Sequence, residues 1–128
     1  MQRSTHTFLA FAAQTVVLWT TFSQNAPRPS SSVLQHALLL ADLNNWADAE
    51  GEFVEAEKYF IASGDQRNAL YAKLGRIRAS VERRPLPEVT TQLETELERN
   101  PLLRKDKQLR MFCLIVKGDI DGEIYSSA

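Results

Sequence analysis

Asn45-Trp46-Ala47-Asp48-Ala49, followed by Phe53, Ala56 and Phe60 and then by Gly64-Asp65-Gln66-Arg67-Asn68-Ala69-Leu70-Tyr71-Ala72-Lys73-Leu74-Gly75, is the stretch that decides the fold. Trp46, Ala49, Phe53, Ala56 and Phe60 are separated by 3, 4, 3 and 4 residues, which places them on one face of an α-helix. Gly64 can take the left-handed conformation that stops such a helix, and Asp65 can accept from the first free N–H groups of the next. That next helix, expected over Gln66 to Arg83 and ended by Pro85, carries Leu70, Leu74, Ile77 and Val81 on one face.

Working outward, the same period continues. Ser32-x-x-Gln35 reads as a capping box opening a helix through Leu34, Ala37, Leu38 and Ala41 to about Leu43, broken by Asn44-Asn45. Pro87 suits the first turn of a helix with Val89, Leu93 and Leu97 as its stripe, closed by Asn100-Pro101. A fifth helix is expected from about Leu102 to Val116, burying Leu109, Phe112, Cys113 and Val116. Gly118-Asp119 is expected to turn the chain, with Ile120 and Ile124 beginning a sixth helix. No segment alternates with the period of a strand.

The helices repeat in pairs. Trp46, Ala49 and Phe53 recur as Leu86, Val89 and Leu93, each 40 residues later, and Val33 and Ala37 recur as Tyr71 and Gly75, 38 residues later. Periods of this length mark helical arrays in which each pair buries its face only against its neighbours. Asn45-Trp46-Ala47-Asp48-Ala49-x3-Phe53-x2-Ala56 resembles the turn and second helix of a tetratricopeptide repeat, and Gly64 to Gly75 is similar to the inter-repeat join and first helix, with its Tyr71-x-x-Leu74-Gly75 core. The likeness covers about residues 33–124 and is closest to extended repeats of roughly 40 residues found in bacterial signalling and regulatory proteins. The second unit departs from the pattern, with Val89 in place of a small residue and Arg83-Arg84-Pro85-Leu86-Pro87 in the turn; the third keeps only Gly118-Asp119-Ile120. The expected fold is therefore all-α, a right-handed α-solenoid of antiparallel helix pairs, about two and a half repeats over residues 33–128. Ala49, Ala56 and Gly75 fall where its helices must approach closely.

Charge is blocked along the chain. Asp42 to Asp65 holds seven acids and one base, Lys58; Arg67 to Arg84 holds six bases and one acid, Glu82. Glu88 to Glu98 is acidic again and Arg99 to Arg110 basic. Neighbouring helices then present opposite signs, and pairing between them sets their register more than their stability, since exposed pairs contribute about 0.2–1 kcal/mol each. The resemblance also implies that first-position helices line a concave face that contacts peptides. On that reading Lys73, Arg76 and Arg83 are the groove residues, favouring an acidic segment or a C-terminal carboxylate.

Before the repeats the composition changes. Arg3 is the only Lys, Arg, Asp or Glu before Arg28, and between them runs the apolar stretch from Phe8 to Phe22. A basic start, a short apolar run and Thr21-Phe22-Ser23 have the layout of a secretory signal cleaved after Ser23. The run is shorter than the roughly 20 apolar residues a membrane span needs and contains Gln14, so an uncleaved anchor is the alternative. Residues 24–32, with Pro27, Pro29 and three serines, read as a linker. The expected location is periplasmic or extracellular.

Several chemistries find no support. The 128 residues, 44% hydrophobic and 24% charged, have a net charge of −1, so no cationic field attracts nucleic acid, and no aromatics interleave the arginines to stack bases. A single cysteine excludes an internal disulfide and any multi-cysteine metal site. Cys113 lies on an apolar stripe, and His36, the sole histidine outside the leader, sits helices away, which speaks against a Cys–His enzyme. Asp119-Ile120-Asp121-Gly122-Glu123 lacks the glycine and closing glutamate that a calcium loop needs. No cofactor is expected. The function expected from the resemblance is a non-catalytic scaffold for a protein or peptide partner. The alternative is the sensor region of a larger signalling protein, suggested by a chain that stops just inside a new helix with Phe112, Val116 and Ile120 expected to be uncovered.

Overall fold

A computed structural model describes residues 30–126, and these are all-helical, with six α-helices and no strand among the described residues. The helices are α1 (Ser30–Asp42), α2 (Trp46–Ser63), α3 (Gln66–Ala79), α4 (Leu86–Arg99), α5 (Pro101–Lys105) and α6 (Lys107–Ser126). A 3₁₀ turn, Ser80–Glu82, extends α3. The leader and residues 24–29 of the expected linker lie outside the described residues. Within them no helix is long and apolar enough to cross a membrane.

The first two connections use one device twice. At the end of α1, Asn44 is left-handed (φ 57°), its N–H donates to the Ala41 carbonyl at 2.9 Å, and Asn45 N–H donates to Leu40 at 2.8 Å. At the end of α2, Gly64 is left-handed (φ 77°), with N–H donation to Ile61 at 3.2 Å and from Asp65 to Phe60 at 2.9 Å. Both are the double C-terminal closure of a helix, and both put a capping side chain next. Asn45 Oδ1 accepts from Asp48 N–H at 3.4 Å and Asp65 Oδ1 from Asn68 N–H at 3.1 Å. The chain thus reverses in a few residues, and α2 packs along both α1 and α3.

Two cores result. The first joins α1, α2 and one side of α3 through Leu34, Ala37, Ala41, Ala49, Phe53, Ala56, Phe60, Ala69 and Ala72. The second joins the other side of α3 to α4, α5 and α6 through Leu70, Leu74, Ile77, Val89, Leu93, Leu103, Leu109, Cys113, Val116 and Ile120. The pairs read from the repeat occupy matching positions: Ala49 and Phe53, like Val89 and Leu93, are at most 1% exposed, while Trp46 and Leu86 are half-buried. Gly75 is a steric requirement: a Cβ there would lie within 2.7 Å of three ring atoms of Phe53.

The structure corrects the sequence reading in four places. Ser32 lies within the first turn of α1, which already includes Ser30, so it does not open the helix. The helix expected to Arg83 is α-helical only to Ala79. The single helix expected from Leu102 to Val116 is two, because Asp106 is extended (φ −102°, ψ 106°) and its Oδ1 accepts from Leu109 N–H at 2.9 Å, capping a new start. Gly118-Asp119 does not turn the chain; α6 runs straight through it. Glycine in a helix costs only about 1 kcal/mol relative to alanine, which the buried pair Val116 and Ile120, one on each side of Gly118, outweighs. Residues expected to be open are covered by α3 and α4: Val116 and Ile120 are buried, and Phe112 is half-buried, stacked on Tyr71 with ring centroids 4.2 Å apart.

Candidate functional site

The blocks of charge become a lattice of pairs between helices. Arg76 Nε donates to Glu57 Oε2 at 2.5 Å, bridging α3 to α2, and Arg83 pairs with Glu50 of α2. Lys73 donates to Glu96 of α4, whose other oxygen accepts from Asn100 Nδ2 at 2.9 Å. Arg67 Nε reaches Asp106 Oδ2 at 2.6 Å, tying α3 to the cap of α6, and Lys117 of α6 lies 3.6 Å from Glu94 of α4. Each of the three groove candidates, Lys73, Arg76 and Arg83, therefore has a carboxylate partner on a different element. Any anionic ligand must compete with Glu96, Glu57 or Glu50 for them.

The charges respond to this setting. Burial pushes the Glu96 carboxyl up, but hydrogen bonds from Lys73 and Asn100 prevail and hold it below its ordinary 4.5. Asp106 is held below 3.8 by the Leu109 N–H and by Arg67. A hydrogen bond from Arg83 to Glu50, and then the charge of Glu50, raise the Arg83 pKa, so the guanidinium stays charged.

Among these pairs a cleft lies where the C-terminal half of α2, the first turns of α3 and the α4–α5 join meet. Its volume is about 490 Å³, and Ile61, Leu70, Pro101 and Leu102 give it apolar surface while Glu57 and Lys73 stand at its polar side. Volumes of this order hold a side chain or a short peptide segment. Asn100 shapes the cleft: its Oδ1 accepts from Leu102 N–H at 3.0 Å and caps α5, and its Nδ2 fixes Glu96. Lys73 is the groove candidate that lines it. Arg83 lines a separate depression of about 440 Å³ with Glu50, Glu55 and Glu82, and Arg76 lines neither.

Sequence spacing did not reveal Ile61, Asn100 and Leu102 as neighbours of Lys73, because 39 or more residues separate Ile61 from the join. It also missed the setting of Arg78. This arginine is only 9% exposed, its guanidinium lies 4.6 Å from the Trp46 ring, and Asp119 and Glu123 of α6 lie 3.7 and 3.5 Å from its nitrogens. Arg78 thus links the N-terminus of α2 to the C-terminal half of α6.

The remaining sequence candidates do not converge. Cys113 is fully buried, and burial, followed by the charge of Glu96, pushes its thiol up to about 11, far from the thiolate a nucleophile needs. His36 is on α1, with its side chain 43% exposed and 2.9 Å from Glu52. Asp119 to Glu123 are helical and form no loop. No protein-family model, no curated protein and no solved structure matches this chain.

Proposed function

We propose that the chain is a non-catalytic interaction scaffold, a tetratricopeptide-like solenoid that holds a segment of a partner protein. The observation that carries this reading is the recurrence at 40 residues of positions that are buried in both copies, Ala49 and Phe53 against Val89 and Leu93. A chain that buries its apolar faces only between successive helix pairs keeps its outer surfaces for partners. The leader read at residues 1–23 adds export to the proposal.

The cleft beside Lys73 sets the chemistry of the segment. Its one cation, Lys73, is already paired with Glu96, so a carboxylate alone gains little. The apolar wall of Ile61, Leu70 and Leu102 is what an incoming side chain can bury. The favoured ligand is a peptide with a leucine- or phenylalanine-sized anchor, flanked by an acid that exchanges with Glu96 at Lys73. Full burial of such an anchor contributes about 1.5–3 kcal/mol.

Amide shifts of the labelled chain, titrated with two synthetic peptides, test this. A peptide with both anchor and acid should move Ile61, Leu70, Lys73 and Leu102; one with the acid alone should not, and Ile61→Glu should abolish the effect. Shifts confined to other surfaces, or equal response to both peptides, would remove the cleft from consideration.

A further inference from the structure

The outer face of α6 carries a pattern that is complementary to itself. With Leu109, Cys113, Val116 and Ile120 turned into the second core, the opposite side presents Met111 (60% exposed), Ile115 (55%) and Tyr125 (83%), with exposed Gly118 and Gly122 between them. A Cβ added at either glycine would meet nothing within 4 Å, so neither is required by the packing of the chain itself. Two glycines in mid-helix cost about 1 kcal/mol each relative to alanine, and no close contact within the chain calls for glycine at either position.

The spacing supplies a reason. Met111 and Gly122, and likewise Ile115 and Gly118, straddle one point midway between Val116 and Lys117, which is also the centre of α6. An antiparallel helix laid across this face with its two-fold axis there seats each Met111 on a Gly122 and each Ile115 on a Gly118. On one flank of the same face stand Arg110 and Asp121, centred within one residue of that point. Arg110 is exposed and makes no ion pair among the described residues, and Asp121 is held 2.9 Å from Lys117. A two-fold axis perpendicular to both helices brings like flanks together, so Arg110 of each copy meets Asp121 of the other. Bulk opposite gap, cation opposite anion and opposed helix dipoles all follow from one operation. An unrelated partner would not require this helix to match its own reverse.

We propose that two copies of this chain pair through α6, antiparallel, about the centre of that helix. This inference does not depend on the peptide-binding reading. One helix per copy makes a small interface, so the dimer should form in the micromolar range.

Sedimentation of the full chain over a concentration series tests the association, and disulfide trapping tests its geometry. The chain should pass from monomer to dimer, and Ile115→Glu should weaken the dimer by roughly tenfold or more while leaving the helical circular dichroism unchanged. Chains with Met111→Cys mixed with chains with Gly122→Cys should cross-link readily. Met111→Cys alone should not, because antiparallel pairing holds its two copies roughly 16 Å apart along the axis. A monomer at every concentration, a dimer indifferent to Ile115→Glu, or self-linking of Met111→Cys would each overturn the proposal.

Discussion

The two cores of this molecule are built by opposite means. Between α1, α2 and α3 the buried residues are mostly alanines around Phe53 and Phe60; between α3, α4, α5 and α6 they are leucine, isoleucine and valine with Cys113. Helix α3 belongs to both, with Ala69 and Ala72 toward the first and Leu70, Leu74 and Ile77 toward the second. Where side chains are small the backbones approach closely, and Gly75 takes the ring of Phe53 where any Cβ would collide with it. Where they are large the helices are held apart by the bulk that fills the gap. The first core is therefore vulnerable to added atoms and the second to removed ones.

The largest effect is expected in the second core. Leu109 is fully buried at the start of α6, and Leu109→Ala leaves a cavity that α3 and α4, each tied by ion pairs to other elements, cannot easily close. The cost should be about 2–5 kcal/mol in chemical denaturation. A cost under 1 kcal/mol would mean that this core is loosely filled and that the contrast between the two is false.

The first core should respond to the opposite change. Gly75→Ala places a methyl against a ring that is itself fully buried, and should cost about 1–3 kcal/mol. Phe53→Leu in the same chain should recover part of that loss by withdrawing the ring atoms. Gly51 is the internal control, a helical glycine of α2 with nothing within 4 Å of an added Cβ. Gly51→Ala should stabilise by about 0.4–1 kcal/mol. If both substitutions had the same sign, glycine at position 75 would be a matter of helix propensity and not of contact.

How much of this could be read beforehand follows the range of the interactions. The closures at Asn44 and Gly64 and the cap at Asp65 were legible because each depends on residues within one turn. The apolar stripes identified Ala49, Phe53, Leu74 and Leu109 as interior for the same reason. The break at Asp106 was hidden although its cap on Leu109 N–H is just as local, because no glycine or proline between Leu102 and Asp106 marks a stop as Gly64 does before Asp65. Gly118 misled in the other direction: a local turn signal yielded to the burial of Val116 and Ile120. Charge blocks indicated that helices pair, but not that Lys73 finds Glu96 or that Arg78 is enclosed by Trp46 and α6. The cleft beside Lys73 was illegible because its apolar walls come from three separate elements.

The smallest expected effect probes the seam where the two halves are joined by charge. Asp106 caps α6 and accepts from Arg67 of α3, and its folded-state pKa lies below the ordinary 3.8. A carboxyl depressed on folding stabilises at pH above its unfolded value, and that contribution is lost as pH falls through the folded value. Asn caps a helix as well as Asp does, so Asp106→Asn removes the charge while keeping an acceptor for Leu109 N–H. The variant should be slightly less stable than the parent at neutral pH, with the difference closing as pH falls below 3.8, as followed by urea midpoints over an acid series. High salt should narrow the difference, because Arg67 and Asp106 meet at the surface where ions screen them. A difference that persisted unchanged to the lowest pH would mean that the cap geometry, and not the charge, holds α6 to α3.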